Sequence, residues 1–331
     1  MLLATSQGAA PVPANPEPVK GAGYKVTGPF VHDNLSVFLV HGADRLKDKN
    51  YLTLQEAMEK KIVIVHETGN VNELTIENIS PDQEVYIQSG DIVKGGRQDR
   101  TIALDFIAPA KSGQMPINAF CVESGRWHQR GVEAADHFGS SNFQIAGKDL
   151  KLAAKQAGSQ REVWDKVAEN QQKLSSNAGA SVNVAQSASS FQLSIESKPV
   201  EDHTDAYVKA LEPVLQGKDD VIGYAFAING KINSADIYAN HALFAKLWPK
   251  LLKSSAIEAL ADLQKDKPVA TANADDVYHC ISDADSGKKS EKDVTPRVRV
   301  VTRETEGNVV FETRDSQAPE AAVHENYVNK K

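Results

Sequence analysis

Short apolar runs broken by Gly, Pro, Asn and Ser fill residues 28 to 140, and apolar positions spaced three and four apart take over from 141 to 265. Leu35 to Val40 and Ile62 to His66 read as buried strands, while Glu73 to Ile79 alternates with Leu74 and Ile76 on one face. Val85 to Ser89, Thr101 to Ile107 and Ile117 to Val122 complete a series expected of an antiparallel sheet or sandwich. Thr53-Leu-Gln-Glu56 is a capping box: hydroxyl and carboxylate satisfy each other's free amides and start a short helix.

The second half reads as helices around a hairpin. A helix over Asp149 to Ala157 is closed by Gly158, and a second capping box, Ser159 to Glu162, launches a helix carrying Val163, Trp164, Val167 and Leu174. Ser175 to Ser190 has no period and reads as a surface loop. Tyr207, Ala210, Leu211, Val214 and Leu215 mark one helical face. Val221 to Ile228, Asn229-Gly230 and Lys231 to Ile237 predict a hairpin with a type I′ turn. Leu243, Phe244, Leu247, Trp248, Leu251 and Leu252 form a long stripe, with Pro249 kinking or restarting its helix. The fold class is therefore α+β, an N-terminal antiparallel sheet or sandwich with a helical second half packed against it. Residues 266 to 331 turn polar and predict a C-terminal extension. Val298 to Arg303 and Val309 to Arg314 pair within it as a hairpin, and Asp283 to Asp293 and the last sixteen residues are mobile.

At 331 residues, with 41% apolar and 24% charged positions, the chain is long enough for one large or two intimate domains. A net charge of -7 gives no general reason to bind a nucleic acid duplex or a membrane surface, and no apolar run is long enough to span a bilayer. Residues 1 to 27 form a flexible or signal-like leader. Its small and Pro-rich composition favours export slightly over a cytoplasmic location, although a charged n-region and a full h-region are missing. Cys121 and Cys280 make no CxxC motif, and a single bridge between them stays open. Nothing in the sequence sets the oligomeric state or a cofactor.

Unusual residues gather at Gly90 to Arg100 and at Cys121 to Trp127. Lys94, Arg97, Arg100 and Arg126 suit phosphate or carboxylate oxygens, Gly95 and Gly96 turn the backbone and offer amides, Gln98 reads a polar edge, and Trp127 stacks. The competing reading is a tight turn with solvated charges and a buried Glu123–Arg126 pair with Trp127 as a plug. No Gly-Lys-Ser/Thr follows the glycines, and a strand comes after them where a Rossmann fingerprint needs a helix. Glu123 or Asp91 is the candidate general base of a hydrolase, and Cys121 a nucleophile only if His128 or a positive field lowers its pKa. Asp105 and Asp236 are further carboxylates, read as structural before functional. The nine histidines make no HxH, HxxxH or HExxH pair, so no metal is assigned.

The run Gln88 to Arg100, with Phe120 to Trp127, Gln160-Arg-Glu-Val-Trp164 and the helix from Leu247 to Ala256, resembles the ADP-ribosylglycohydrolase-and-rhodanese-phosphatase-associated protein domain, a family of unknown function. The resemblance covers roughly residues 28 to 265. It implies a role near ADP-ribose, NAD or another nucleotide and carries over no catalytic residue. The expected function is a binding domain for an anionic small molecule or modified polymer, with a hydrolase or an exported interaction module as alternatives.

Overall fold

Strands from both ends of the chain share one sheet. The structure, a computed structural model, describes residues 23–265, 267 and 270–331, so most of the signal-like leader lies outside the described residues. An eight-stranded antiparallel sheet runs in the order Lys25–His32, Leu35–His41, Val221–Ile228, Lys231–Tyr238, Ala322–Asn329, Asn308–Asp315, Val298–Glu304 and Lys288–Asp293. A six-stranded sheet follows the order Phe138–Gln144, Asp91–Gly95, Arg100–Ile102, Gly113–Cys121, Glu73–Asn78 and Val63–Asn70. An antiparallel bridge from His66 to His137 and the Glu67 N–H to Asp136 carbonyl bond bring its two edges together. Leu52–Thr53, Val85–Ile87 and Phe106–Ala108 form a third, small sheet.

The fold class agrees with the hydrophobic pattern, and several boundaries differ for physical reasons. Thr101 to Ile107 is two strands: Arg100–Ile102 ends in the six-stranded sheet, and Phe106–Ala108 begins in the small one. A break at Ala103 to Asp105 switches the chain between them. The C-terminal region, expected as an extension with a mobile tail, supplies four of the eight strands of the large sheet. Ala322–Asn329 there sits between two other strands, and Lys288–Asp293 is an edge whose charged side chains guard it against further pairing. The linker expected at Asp283 to Asp293 holds the end of the helix Ala274–Asp285 and that edge strand.

The helix His241–Ala261, started by the Asn240 side chain accepting the Leu243 amide at 2.9 Å, continues unbroken through Pro249. It is apolar nearly all round and buried on almost every side, as expected of a helix clasped between layers. Leu247 and Trp248 join Leu35, Val37 and Leu39 of the large sheet and Val65, Ile76 and Ile117 of the six-stranded sheet in one continuous core. Each such side chain contributes about 1.5–3 kcal/mol on burial. The Asn229-Gly230 turn has φ of 51° and 79°, the two positive values that a type I′ hairpin requires.

The helix expected over Asp149 to Ala157 is α-helical only from Lys148 to Leu152. Ala153–Ala157 widens into a π-turn before Gly158 ends it in the left-handed region. Ser159 accepts the Glu162 amide as expected of a cap. The reciprocal bond is absent there, whereas Thr53 and Glu56 complete theirs.

Candidate functional site

The glycine-arginine turn is built around its own carboxylates. Gly95 and Gly96 adopt φ of 108° and 52°, but the Gly95 amide donates to Asp99 Oδ1 at 3.0 Å and the Gly96 amide to the Ala134 carbonyl at 3.0 Å. Arg126 clasps Glu123 through Nε at 2.6 Å and Nη2 at 2.7 Å, and also donates to the Gly95, Gly96 and His128 carbonyls. Arg130 grips Asp99 at 2.7 and 2.9 Å. Arg100, wholly inaccessible, donates to the Gln98 carbonyl at 2.7 Å and reaches Glu67 at 3.4 Å.

The cationic mouth expected of these residues is therefore not what the loops form. Three buried arginines are matched by Glu67, Asp99 and Glu123, because a buried guanidinium without a counter-charge costs several kcal/mol. Gln98 is buried, and Lys94 pairs with Glu196 at 2.9 Å. Arg97 alone of the expected arginines is exposed, with its guanidinium carbon 5.4 Å from the centre of the Trp127 ring, which also lies 5.7 Å from Arg100. Trp127 is 41% exposed, so it caps this network more than it plugs a core.

The candidate catalytic groups are equally engaged. Burial opposes ionisation of Glu123, but Arg126 and the Asp99 amide outweigh it and hold its pKa below the usual range, which makes it a poor base. Asp91 accepts from Lys250 at 3.0 Å, Gln144 at 3.3 Å and the Gln88 amide at 3.1 Å. Burial pushes the Cys121 thiol up to about 11, so it stays protonated at neutral pH, with its sulfur against the Val71 carbonyl. Cys280 is likewise a buried free thiol, which answers the open question of a bridge. Trp164, expected in the core, is partly exposed and donates to the Glu123 carbonyl at 3.1 Å.

A second constellation forms where the sheets meet. Period two puts His324 and Asn326 on one face of their strand, and the antiparallel register sets Asp236 directly opposite Asn326. His324 Nδ1 lies 2.7 Å from Asp105 Oδ2 and its Nε2 lies 3.0 Å from Asp236 Oδ1. Only an imidazolium donates at both nitrogens. Burial works against that charge, yet the two carboxylates prevail and raise the His324 pKa to about 9. Asp105, on the switch between the two smaller sheets, also accepts from Tyr86 at 2.9 Å, Thr313 at 2.8 Å and the Ser89 amide at 2.7 Å. Burial opposes its ionisation, but His324, the charge of Lys155 and the Ser89 amide bring its pKa well below the usual range.

Beside this chain lies a narrow cavity of about 20 Å³, room for about one water molecule, lined among others by Gln88, Gln144, Lys151, Lys155, Asp236 and Asn326. The π-turn carries Lys155 into it, where Nζ donates to Asn326 Oδ1 at 2.6 Å and lies 5.0 Å from the Phe311 ring centre. Asp236 orients that amide by accepting from Asn326 Nδ2 at 2.8 Å. Lys151 and Lys250 nearby each hold a carboxylate, Glu258 at 3.2 Å and Asp91 at 3.0 Å. Among the described residues Lys155 has no carboxylate oxygen within 4 Å, and Gln88 Oε1 has no partner. Burial pulls the Lys155 pKa down, against Asp105 and Asp236. Perturbed groups converging on a cleft make it a candidate site.

Of these residues the sequence pattern marks Asp105 and Asp236 but not Lys155, His324 or Asn326. His324 stands 219 residues from Asp105 and 88 from Asp236, beyond any local motif. The remaining signal, a histidine in an alternating strand of a supposed tail, carried no functional cue by itself.

The chain belongs to the ARG and Rhodanese-Phosphatase-superfamily-associated Protein domain family, whose model matches residues 23–327. The match runs into the last C-terminal strand and takes in His324 and Asn326. No curated protein and no solved structure gives a significant match.

Proposed function

We propose that this protein binds a small anionic molecule at the junction of its sheets, with Lys155 as the principal cation. The single observation behind this reading is that, among the described residues, no carboxylate lies within 4 Å of a lysine amine that lines a polar cavity. A ligand oxyanion supplies the missing counter-charge. Gln88 and Gln144 line the same cavity, their amide nitrogens donating to the Tyr238 hydroxyl at 2.9 Å and to Asp91 at 3.3 Å. The narrowness of the cavity favours a slender polar group within it. ADP-ribose, NAD, other nucleotides and sugar phosphates belong to the chemical class and enter the test for that reason. Hydrolysis with Glu123 or Asp91 as general base finds little support, since the oxygens of both are held by basic or amide donors.

A thermal-shift screen of those compounds with phosphate and sulfate tests the reading. A ligand at a hundred times its dissociation constant adds about 2.7 kcal/mol of stability. Wild type should gain several degrees with at least one of them, and Lys155→Met should lose that gain. Silence across the whole series removes the proposal.

A further inference from the structure

We infer that Lys155 is an amine nucleophile that condenses with a carbonyl carbon, so that the ligand of the proposed site is a small aldehyde or ketone bearing an anionic group. The inference rests on the binding reading above and adds a covalent step to it.

Three lysines reach the sheet junction, and two are fixed as cations by carboxylates at 3.2 and 3.0 Å. Lys155 differs in both partner and backbone. Its amine meets a neutral amide oxygen at 2.6 Å and an aromatic face, neither of which neutralises an ammonium as a carboxylate does. It is presented by the π-turn Ala153–Ala157, a widened coil that departs from the i, i+4 line on which Lys151 would otherwise place it. Burial then favours the uncharged amine, the form that attacks carbonyls.

The second requirement is a proton carrier in the same cavity. Asp236 lines it, and among the described residues its Oδ1 holds both His324 and Asn326 while Oδ2 takes no hydrogen bond. His324, held from its other side by Asp105, fixes the position of this carboxylate. In the proposed step the nitrogen lone pair forms a C–N bond as the carbonyl π pair moves onto oxygen, and a proton passes from nitrogen to that oxygen. The resulting hydroxyl leaves as water while nitrogen forms the C=N bond and loses its last proton. Asp236, more than 4 Å from the amine, carries these protons through an intervening water. The sum is amine plus carbonyl giving imine plus water, with no oxidant or reductant.

The test is reductive trapping on the full chain. The protein is incubated at neutral pH with pyruvate, and separately with glycolaldehyde, in the presence of cyanoborohydride, and the modified lysines are located by peptide mass spectrometry. The expected result is one dominant adduct at Lys155, formed faster than at any other lysine, with a higher ratio of pyruvate to glycolaldehyde labelling there than at surface lysines. Lys155→Arg should stay folded and lose that adduct, leaving only slow surface labelling. No adduct at Lys155 with either compound, or labelling there no faster than at surface lysines, overturns the inference. Thermal shift with phosphate, which has no carbonyl, separates this failure from the other. A Lys155-dependent phosphate shift without trapping leaves the binding reading standing and the covalent step refuted. Trapping at Lys155 without any phosphate shift supports the covalent step and removes phosphate from the anions the site accepts.

Discussion

Replacing His324 by glutamine should flatten the alkaline limb of the protein's stability. In the folded chain His324 is an imidazolium bridging Asp105 at 2.7 Å and Asp236 at 3.0 Å, with its pKa raised from 6.5 to about 9. Because the folded value is the higher one, the contribution is complete below about pH 6.5, declines as pH rises, and is gone above about pH 9. At about 1.4 kcal/mol for each pKa unit, the full contribution is about 3 kcal/mol. Asp105 has the opposite sense, its contribution being present at neutral pH and lost in acid, so it does not overlap this window. Lys155, whose folded pKa is lowered, gains stability as pH rises, but it is common to both proteins. The assay is urea unfolding of wild type and His324→Gln from pH 6.5 to 9.5. The stability difference between them should shrink by about 3 kcal/mol across that range. A difference independent of pH would refute the bridging imidazolium.

Glu123→Gln removes one member of a buried, doubly bonded ion pair and should cost about 3–5 kcal/mol by denaturant unfolding while leaving any ligand-induced thermal shift intact. Gly96→Ala should destabilise by about 1–3 kcal/mol or more, because φ is 52° and a Cβ would stand 2.5 Å from Phe138 and 2.8 Å from Glu67; unchanged stability would contradict that crowding. Ellman's reagent should find both thiols unreactive in the native protein and two free thiols on unfolding. Burial raises Cys121 to about 11 and Cys280 to about 12.

Local physics was legible wherever a few neighbouring residues decide the outcome. Thr53 with Glu56, Asn229 with Gly230 and the apolar stripe from Leu243 to Leu252 each carry their own geometry, and the structure follows them. Partner choice was legible for Glu123 and Arg126, three residues apart, and not for partners distant in sequence. The run from Lys94 to Arg100 displays its cations in sequence, but Glu67 arrives from another strand and Arg130 from a later loop, so the same letters that suggest an open clamp build a neutral core. The tail misled for a related reason. Its polar residues alternate around Val323, Tyr327 and Val328, and those side chains find a core only once the large sheet exists to receive them. Lys155 lies furthest from sequence reading, since a π-turn answers to packing and has no residue signature.

Phosphate titration by calorimetry of wild type, Lys155→Met and Arg97→Ala, side by side, bears most directly on where this protein meets its ligand. Binding that survives in Arg97→Ala and disappears in Lys155→Met agrees with a site at the sheet junction. Binding that disappears in Arg97→Ala and survives in Lys155→Met would contradict it and return the site to the ledge formed by Arg97 and Trp127.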